Sequence, residues 1–235
     1  MMLFRCSPNA MKSIADYARP VCVKDVFALI FVALLASGCS VIDKPSRASL
    51  YDFGPGALTT QAAAPTTGAA LPPLAIADIT TAGDALDNQG VLYRLAYADA
   101  QQLRPYSQAR WAMPPAHLVR QRLRERLGER RVILKASEGV ALNRGQNASL
   151  PVLRLELEEF SQLFSARDAS VGLIRLHATL VDITPAGERL VGQRSIVVQR
   201  PAASADAPGG VRALTEATDA AIEEIEQWML QMPAR

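Results

Sequence analysis

Along the 235-residue chain, the hydrophobic pattern changes several times, and each change predicts an element. The cleanest alternation runs through Pro151–Phe160. There Leu153, Leu155 and Leu157 face one way and Arg154, Glu156 and Glu158 the other, the period-two signature of a half-buried strand. Val171–Thr184 and Arg189–Gln199 flank Pro185-Ala186-Gly187-Glu188, a turn by composition, and read as an antiparallel hairpin. Shorter strands are expected at Tyr51–Phe53, at Leu74–Ile79 with Leu74, Ile76 and Asp78 on one face, at Val91–Leu95 and at Arg131–Ala136. Residues 96–110 are mixed, with room for a hairpin. Two segments switch to helical spacing. Pro114-Pro115 opens the first, Val119, Leu123 and Leu127 form its apolar stripe, and Gly128 fits its C-terminal cap. The second spans about Val211–Met232, with Leu214, Ala217, Ala221, Ile225 and Trp228 in one stripe. The order of elements predicts an α+β fold: a mixed, mainly antiparallel sheet with two helices packed on one face.

Two stretches fall outside this pattern. Residues 54–73 are rich in Gly, Ala, Thr and Pro, with too few large apolar groups to offset their ordering entropy, and read as a flexible loop. Pro201–Gly210 reads as a second, shorter loop. Near the N-terminus, Arg19 and Lys24 precede the 11-residue apolar run Val26–Ala36. As a helix that run spans about 16 Å, short of the roughly 30 Å of a bilayer core. A positive segment followed by a short apolar run is the pattern of an export signal. Ala36-Ser37-Gly38-Cys39-Ser40 then resembles the bacterial lipobox, whose small residues admit a peptidase and whose cysteine thiol takes diacylglycerol. The usual Leu three places before the cysteine is here Ala36, with Leu35 one place earlier. The expected organisation is a lipoprotein signal peptide at 1–38 cleaved between Gly38 and Cys39, a lipidated Cys39 with a tether to 50, and one domain over 51–232. Met11 is an alternative start. Ser40 stands where an Asp would resemble an inner-membrane retention signal, so the sorting resemblance points to the periplasmic face of the outer membrane.

Charge narrows the partners. The chain has 25 Lys+Arg and 23 Asp+Glu, and the first 38 residues hold Arg5, Lys12, Arg19 and Lys24 against Asp16 and Asp25. The expected mature part therefore carries 21 of each sign. A neutral domain has no global field to draw in nucleic acid. Arg120, Arg122, Arg124 and Arg126 with Glu125 line the polar side of the first helix. That side fits a membrane surface or, more simply, a solvated helix on a sheet. After Cys39 there is no further cysteine, which excludes disulfides and thiolate metal sites there. His117 and His177 have no HExxH spacing. Glu156, Glu158 and Glu159 read as charges on an exposed strand face. No nucleophile motif, phosphate loop or dinucleotide fingerprint is present, so no catalytic or metal residue is expected and no cofactor beyond the covalent lipid on Cys39. Tyr93, Tyr106 and Trp111, with Tyr97 and Met113 nearby, are candidates for a partner interface, structural packing being the default for each. Phe160, Leu163 and Phe164 form a second such cluster.

Several of these segments occur in a familiar succession. The lipobox is followed by Tyr51-Asp52-Phe53, a strand at Leu74–Ile79, and Ala85-Leu86-Asp87-Asn88-Gln89-Gly90-Val91-Leu92-Tyr93-Arg94. Tyr106, Arg110-Trp111-Ala112 and Pro114-Pro115 then lead into the helix. This resembles the ABC-type transport auxiliary lipoprotein family over most of residues 39–232, the Val-Leu-Tyr-Arg and Arg-Trp-Ala elements being the most specific. The resemblance implies a fold similar to the N-terminal domain of TolB. It also implies a non-enzymatic accessory role beside an MCE-type (mammalian-cell-entry) periplasmic subunit, with permease and ATPase as separate chains, in moving lipids or other hydrophobic molecules between membranes. A homo-oligomer is left open. The alternative is a structural or partner-binding envelope lipoprotein with no transport role.

The anchor is directly testable. Cys39→Ser is expected to abolish metabolic labelling with a palmitate analogue and to leave the chain unprocessed or released from membranes. Continued labelling and partition into detergent would refute the assignment.

Overall fold

The computed structural model describes residues 47–56, 71–137, 150–184 and 186–232. Within them, β7 (Leu150–Phe164) is the spine of a nine-stranded mixed sheet. One edge of β7 pairs along its length with the antiparallel β8 (Ser170–Thr184), which pairs in turn with β9 (Gly187–Pro201). The other edge takes three short parallel strands end to end. β2 (Leu71–Ile76) lies beside Val152 and Leu153, β3 (Thr80–Thr81) beside Glu156 and Leu157, and β4 (Gly90–Leu95) beside Gln162 to Phe164. Between them, the N–H of Ala77 donates to Leu153 O at 3.0 Å and that of Ala82 to Leu157 O at 3.0 Å. Two wings extend from this edge. β2 adds the parallel β6 (Arg131–Lys135); β4 adds the antiparallel β5 (Asp99–Trp111), which adds the parallel β1 (Ser49–Tyr51). The long ladders are antiparallel and the short ones mostly parallel, as the mixed, mainly antiparallel expectation required.

The alternation of β7 carries one phase change. Leu157 opposes Leu176, but Glu159 opposes Arg175, so Glu158 is an extra residue. This bulge keeps Leu153, Leu155, Leu157 and Phe160 all buried and leaves Glu158 and Glu159 together on the other side. The face away from the helices is polar: Arg154 pairs with Glu188 at 2.6 Å, His177 Nδ1 lies 3.3 Å from Ser195 Oγ, and Gln193 donates to Thr179.

Helix α1 (Pro115–Gly128) buries Val119, Leu123 and Leu127 completely. Its end differs from the expected glycine cap. Gly128 stays helical, Glu129 at the cap has φ −63°, and the last N–H groups reach back three residues, Glu129 to Arg126 O and Arg130 to Leu127 O. Helix α2 (Ala207–Gln231) lies over β8, β9 and β7 and buries its whole expected stripe. It begins four residues before the expected start because Asp206 caps it. The Asp206 carboxylate accepts from the Gly209 N–H at 2.8 Å and from the Ser204 hydroxyl at 2.6 Å. Gly172 on β8 permits the close approach, since a Cβ there would lie 2.5 Å from the backbone of Ala213 and Leu214.

Arg122 and Arg126 of α1, and Arg130 just beyond its end, face the other helix. Arg122 makes a two-point pair with Asp219 at 2.7 and 2.9 Å, Arg126 meets Glu223 at 3.4 Å, and Arg130 meets Glu226 at 3.1 Å. The Asp219 hydrogen bond raises the Arg122 pKa above its ordinary value against the opposing effect of burial. Two of the four arginines on the basic side of α1 thus belong to an interhelical ladder with i, i+4 spacing, and a third, Arg120, pairs with Asp78. The surface-helix reading holds, and a free basic stripe for a membrane does not.

Three boundaries differ from the sequence reading. The first strand is Ser49–Tyr51, inside the expected tether, and Phe53 leaves the strand to pack into the core. β2 starts at Leu71, inside the expected 54–73 loop. Its Pro72 and Pro73 are tolerated because they sit at a register shift between Leu71↔Arg131 and Leu74↔Ile133, where no ladder N–H is required. β2 also ends at Ile76, so Asp78 lies beyond the strand and exposed.

Asp206→Ala is expected to lower stability by about 1 kcal/mol near neutral pH. The Ser204 hydroxyl and then the Gly209 N–H hold this carboxyl below its ordinary value of 3.8. A lowered folded-state pKa stabilises above the unfolded value and loses that contribution as pH falls through the folded one. Chemical denaturation of both proteins should therefore show the gap closing in acid, below the ordinary aspartate value. A gap independent of pH down to full protonation would exclude the charged cap.

Candidate interaction site

The wing built from β4, β5 and β1 gathers the motif residues. It begins with a stapled turn. Asn88 donates through Nδ2 to Ala85 O at 2.9 Å and accepts from the Gly90 N–H at 2.7 Å, closing the 3-10 turn Asp84–Leu86 into β4. Gln89 O then accepts from the Trp111 N–H at 2.7 Å, and Gln89 Nε2 donates to Ala112 O at 3.1 Å. The Ala112 N–H donates to Tyr51 O at 2.7 Å, tying β1 to the same point.

β5 is longer than its partner and bulges twice. Its register against β4 slips between Leu92 and Gly90, and again between Arg94 and Leu95. An arginine fills each slip. Arg94 Nη1 donates to Ala100 O at 3.2 Å and Gln101 O at 3.0 Å, while Nε and Nη2 grip both Glu159 oxygens at 3.2 and 2.9 Å. Arg110 Nη1 donates to Tyr106 O at 2.9 Å and Ala109 O at 3.3 Å. Carbonyls that a regular ladder would have paired are thereby satisfied. The Val-Leu-Tyr-Arg and Arg-Trp-Ala elements hold a bulged strand in shape.

Two aromatic clusters flank this frame. Trp111 is wholly buried, with the Phe53 ring edge-on at 5.7 Å and Phe160 at 5.5 Å. Its indole Nε1 is buried with no acceptor among the described residues. Tyr93 and Tyr106 are half-buried and lie 4.6 Å apart, with Phe164 meeting Tyr93 edge-on at 6.1 Å. The Tyr106 hydroxyl donates to Gln162 Oε1 at 2.8 Å, and Gln162 Nε2 donates to Ser170 Oγ at 2.8 Å. Burial, then Tyr93 and Asp206, pushes the Tyr106 phenol well above its ordinary pKa, so it remains a donor. Gln162 is fully buried under the first turn of α2, where a Cβ at Gly210 would collide with its amide. This network joins β5, β7, β8 and α2.

The candidate residues thus divide. Tyr93 and Tyr106 share one half-exposed cluster, and Trp111 belongs to the core beside it. Phe160 and Phe164 are buried, and Tyr97 is 47% exposed. Gly38, Cys39 and Ser40 lie outside the described residues. Glu156 opposes His177 on the open sheet face, Glu159 holds Arg94, and His117 stands exposed on α1. Among the described residues no group of three His, Cys, Asp or Glu side chains is placed to hold a metal. Sequence reasoning missed Gln162 and the bulge-filling roles of Arg94 and Arg110. A polar pair, Ser161-Gln162, inside the apolar run Phe160–Phe164 is the signal that could have found Gln162.

A mixed sheet with two helices on one face and a bulged wing defines a class of α+β domains seen in solved structures. Protein XCC0632 from Xanthomonas campestris is 17% identical with a TM-score of 0.57, over 70% of this chain and 88% of its own. A second structure, of an uncharacterised protein, is 13% identical with a TM-score of 0.51, over 78% of this chain and 99% of its own. No curated protein matches the chain. The family described as ABC-type transport auxiliary lipoprotein component matches residues 57–226, and the chain belongs to it. It is an auxiliary transport component of a lipoprotein family of the cell envelope.

Two substitutions probe the two clusters. Trp111→Ala is expected to cost roughly 3–5 kcal/mol, as a large buried ring leaves a cavity. Tyr106→Phe strips the donor from a buried amide oxygen and is expected to cost about 1–3 kcal/mol. Thermal and denaturant melts read both. An unchanged midpoint for Trp111→Ala would remove the indole from the core.

Proposed function

We propose that the chain is a non-enzymatic accessory lipoprotein of an MCE-type ABC transport system, anchored to the outer membrane by lipid on Cys39 and facing the periplasm. Its system moves lipids or other hydrophobic molecules between membranes. Membership of the auxiliary lipoprotein family over residues 57–226 carries this reading. The build of the wing supports it. Arg94, Arg110 and Gln162 spend their hydrogen bonds on rigidity, and what they hold in place is a half-exposed aromatic surface suited to protein contact. The reach is short. From Cys39 to Ser49 the chain spans at most about 35 Å when extended, so β1 and the wing stay close to the anchoring leaflet. A three-chain anchor of the lipoprotein kind holds where a single acyl chain would not.

Cross-linking in intact cells tests the partner, and density gradients test the address. The full-length chain, carrying a photo-reactive residue at Tyr97, is expected to cross-link to an MCE-type periplasmic subunit and to sediment with outer-membrane markers. Ser40→Asp should move it toward the inner membrane. Cross-links solely to other envelope proteins would sink the transport reading in favour of a structural lipoprotein, and wild type found only in inner-membrane fractions would overturn the address.

A further inference from the structure

The two arginines that fill the slips between β4 and β5 are alike at one nitrogen and differ at the others. Arg94 Nη1 takes two carbonyls of its bulge, Ala100 O and Gln101 O, and its Nε and Nη2 grip both oxygens of Glu159. Arg122 uses the same edge on Asp219, Nε to one oxygen and Nη2 to the other. Arg110 Nη1 likewise takes two carbonyls, Tyr106 O and Ala109 O. Its Nε and Nη2 make no hydrogen bond among the described residues, and its guanidinium makes no ion pair there. Arg110 is thus built like Arg94 but lacks the acid.

Arg110 lines a cleft of about 500 Å³ on the wing. That size falls within the usual range for binding pockets, roughly 300–1,000 Å³. Leu92, Leu103 and Pro105 give it apolar wall, the first buried, the second half-buried and the third exposed. Asn88 and Gln89 of the stapled turn complete it, and their amide nitrogens are already committed to Ala85 O and Ala112 O. No Asp or Glu is among the lining residues, and Arg110 is the one charged residue there.

A guanidinium already fixed to the backbone through one nitrogen has little freedom left to lose on binding. Its planar fork fits the two oxygens of one carboxylate. A phosphate group carries more than one charge, and a single cation would leave part of it unbalanced beside Leu92 and Pro105. We propose that this cleft receives an acidic side chain of a partner protein, its carboxylate gripped by Arg110 and its aliphatic neighbours lying against Leu92, Leu103 and Pro105. The partner completes at Arg110 the pair that Glu159 completes at Arg94 and Asp219 at Arg122. Charge complementarity names the occupant. The wing is the surface assigned above to protein contact, so the inference deepens that reading. It rests on it for the kind of partner and not for the site.

Calorimetry on the full chain in phosphatidylcholine nanodiscs tests the site, with empty nanodiscs subtracted. The probes are the acetylated and amidated peptides Ser-Leu-Glu-Leu-Ser and Ser-Leu-Gln-Leu-Ser, 3-methylbutanoate and inorganic phosphate. The Glu peptide is expected to bind about tenfold tighter than its Gln counterpart. Arg110→Gln should remove that preference, while Arg194→Gln, on β9 away from the cleft, keeps it. Because Arg110→Gln also loses the brace on the bulge, Pro105→Glu is the second variant. It alters an exposed residue, leaves the carbonyl bonds of Arg110 in place and supplies a carboxylate from within the cleft. It is expected to keep the melting temperature and lose the preference. Equal affinity for the two peptides, absence of binding included, overturns the site, as does a preference that survives in either variant. Binding of 3-methylbutanoate or phosphate as tight as that of the Glu peptide overturns the protein occupant in favour of a small anion. Loss of the MCE-type cross-link with the preference intact sinks the transport reading alone, so the two proposals fail separately.

Discussion

β7 is paired along its length on one edge and in three separate stretches on the other, and the rest of the domain follows from that arrangement. An interior strand cannot leave its N–H and C=O groups unpaired without a cost comparable to lost hydrogen bonds. One edge is served simply, by the hairpin partner β8. The other has no single long partner and is served by β2, β3 and β4 in succession, with Ala77 and Ala82 bridging the gaps. Each short strand then carries the chain off in its own direction. β2 leads to β6 and the α1 side, β4 to β5 and β1. The wing that carries the aromatic surface exists because β4 is the last of three pieces on that edge.

A strand recruited this way inherits poor register, and the wing is held by side chains instead. Between them, Arg94 and Arg110 bind four carbonyls, and Arg94 also grips Glu159 on the spine. Tyr106, Gln162 and Ser170 add a buried polar bridge toward α2. Polar networks in a low-dielectric interior hold firmly when every member is satisfied. This one is satisfied at each step, whereas the Trp111 indole alongside has no acceptor. The wing is thus polar-braced on the Tyr106 side and packed by rings on the Trp111 side, with Phe53 joining the incoming chain to the second.

The long elements were legible because their periodicity is strong and local. Leu153, Leu155 and Leu157, and the stripe from Leu214 to Trp228, name their buried faces without reference to anything distant. What was illegible depends on partners far along the chain. Nothing in Leu71-Pro72-Pro73 announces a strand, because the register slip that excuses the prolines is made by β6, some sixty residues later. The bulge at Glu158 looks like one more charge in the alternation until Arg175 is seen opposite Glu159. Arg122 and Arg126 read as part of a stripe because their acids, Asp219 and Glu223, lie on the other helix. Of the candidate site, the motif residues were found by resemblance, while their work as bulge fillers needed the register. Asp206 was the exception: Asp-Ala-Pro-Gly is a local cap signal, and reading the segment as a Pro/Ala/Gly loop passed over it.

Formal neutrality hides an uneven arrangement. Several of the carboxylates are committed to particular cations, among them Asp219 to Arg122, Glu159 to Arg94, Glu188 to Arg154, and Asp182 to Arg189. Such pairs at partly exposed positions contribute little stability each, but they orient the side chains that form them. Their consequence is local rather than global. Where a pair closes, as between the helices, the surface is neutral and held in place. A net charge near zero gives no long-range steering, so a partner of such a domain must be brought close by other means. On the proposed reading, a lipid anchor at Cys39 meets that condition: a short tether to a leaflet supplies the local concentration that the charge of the domain does not.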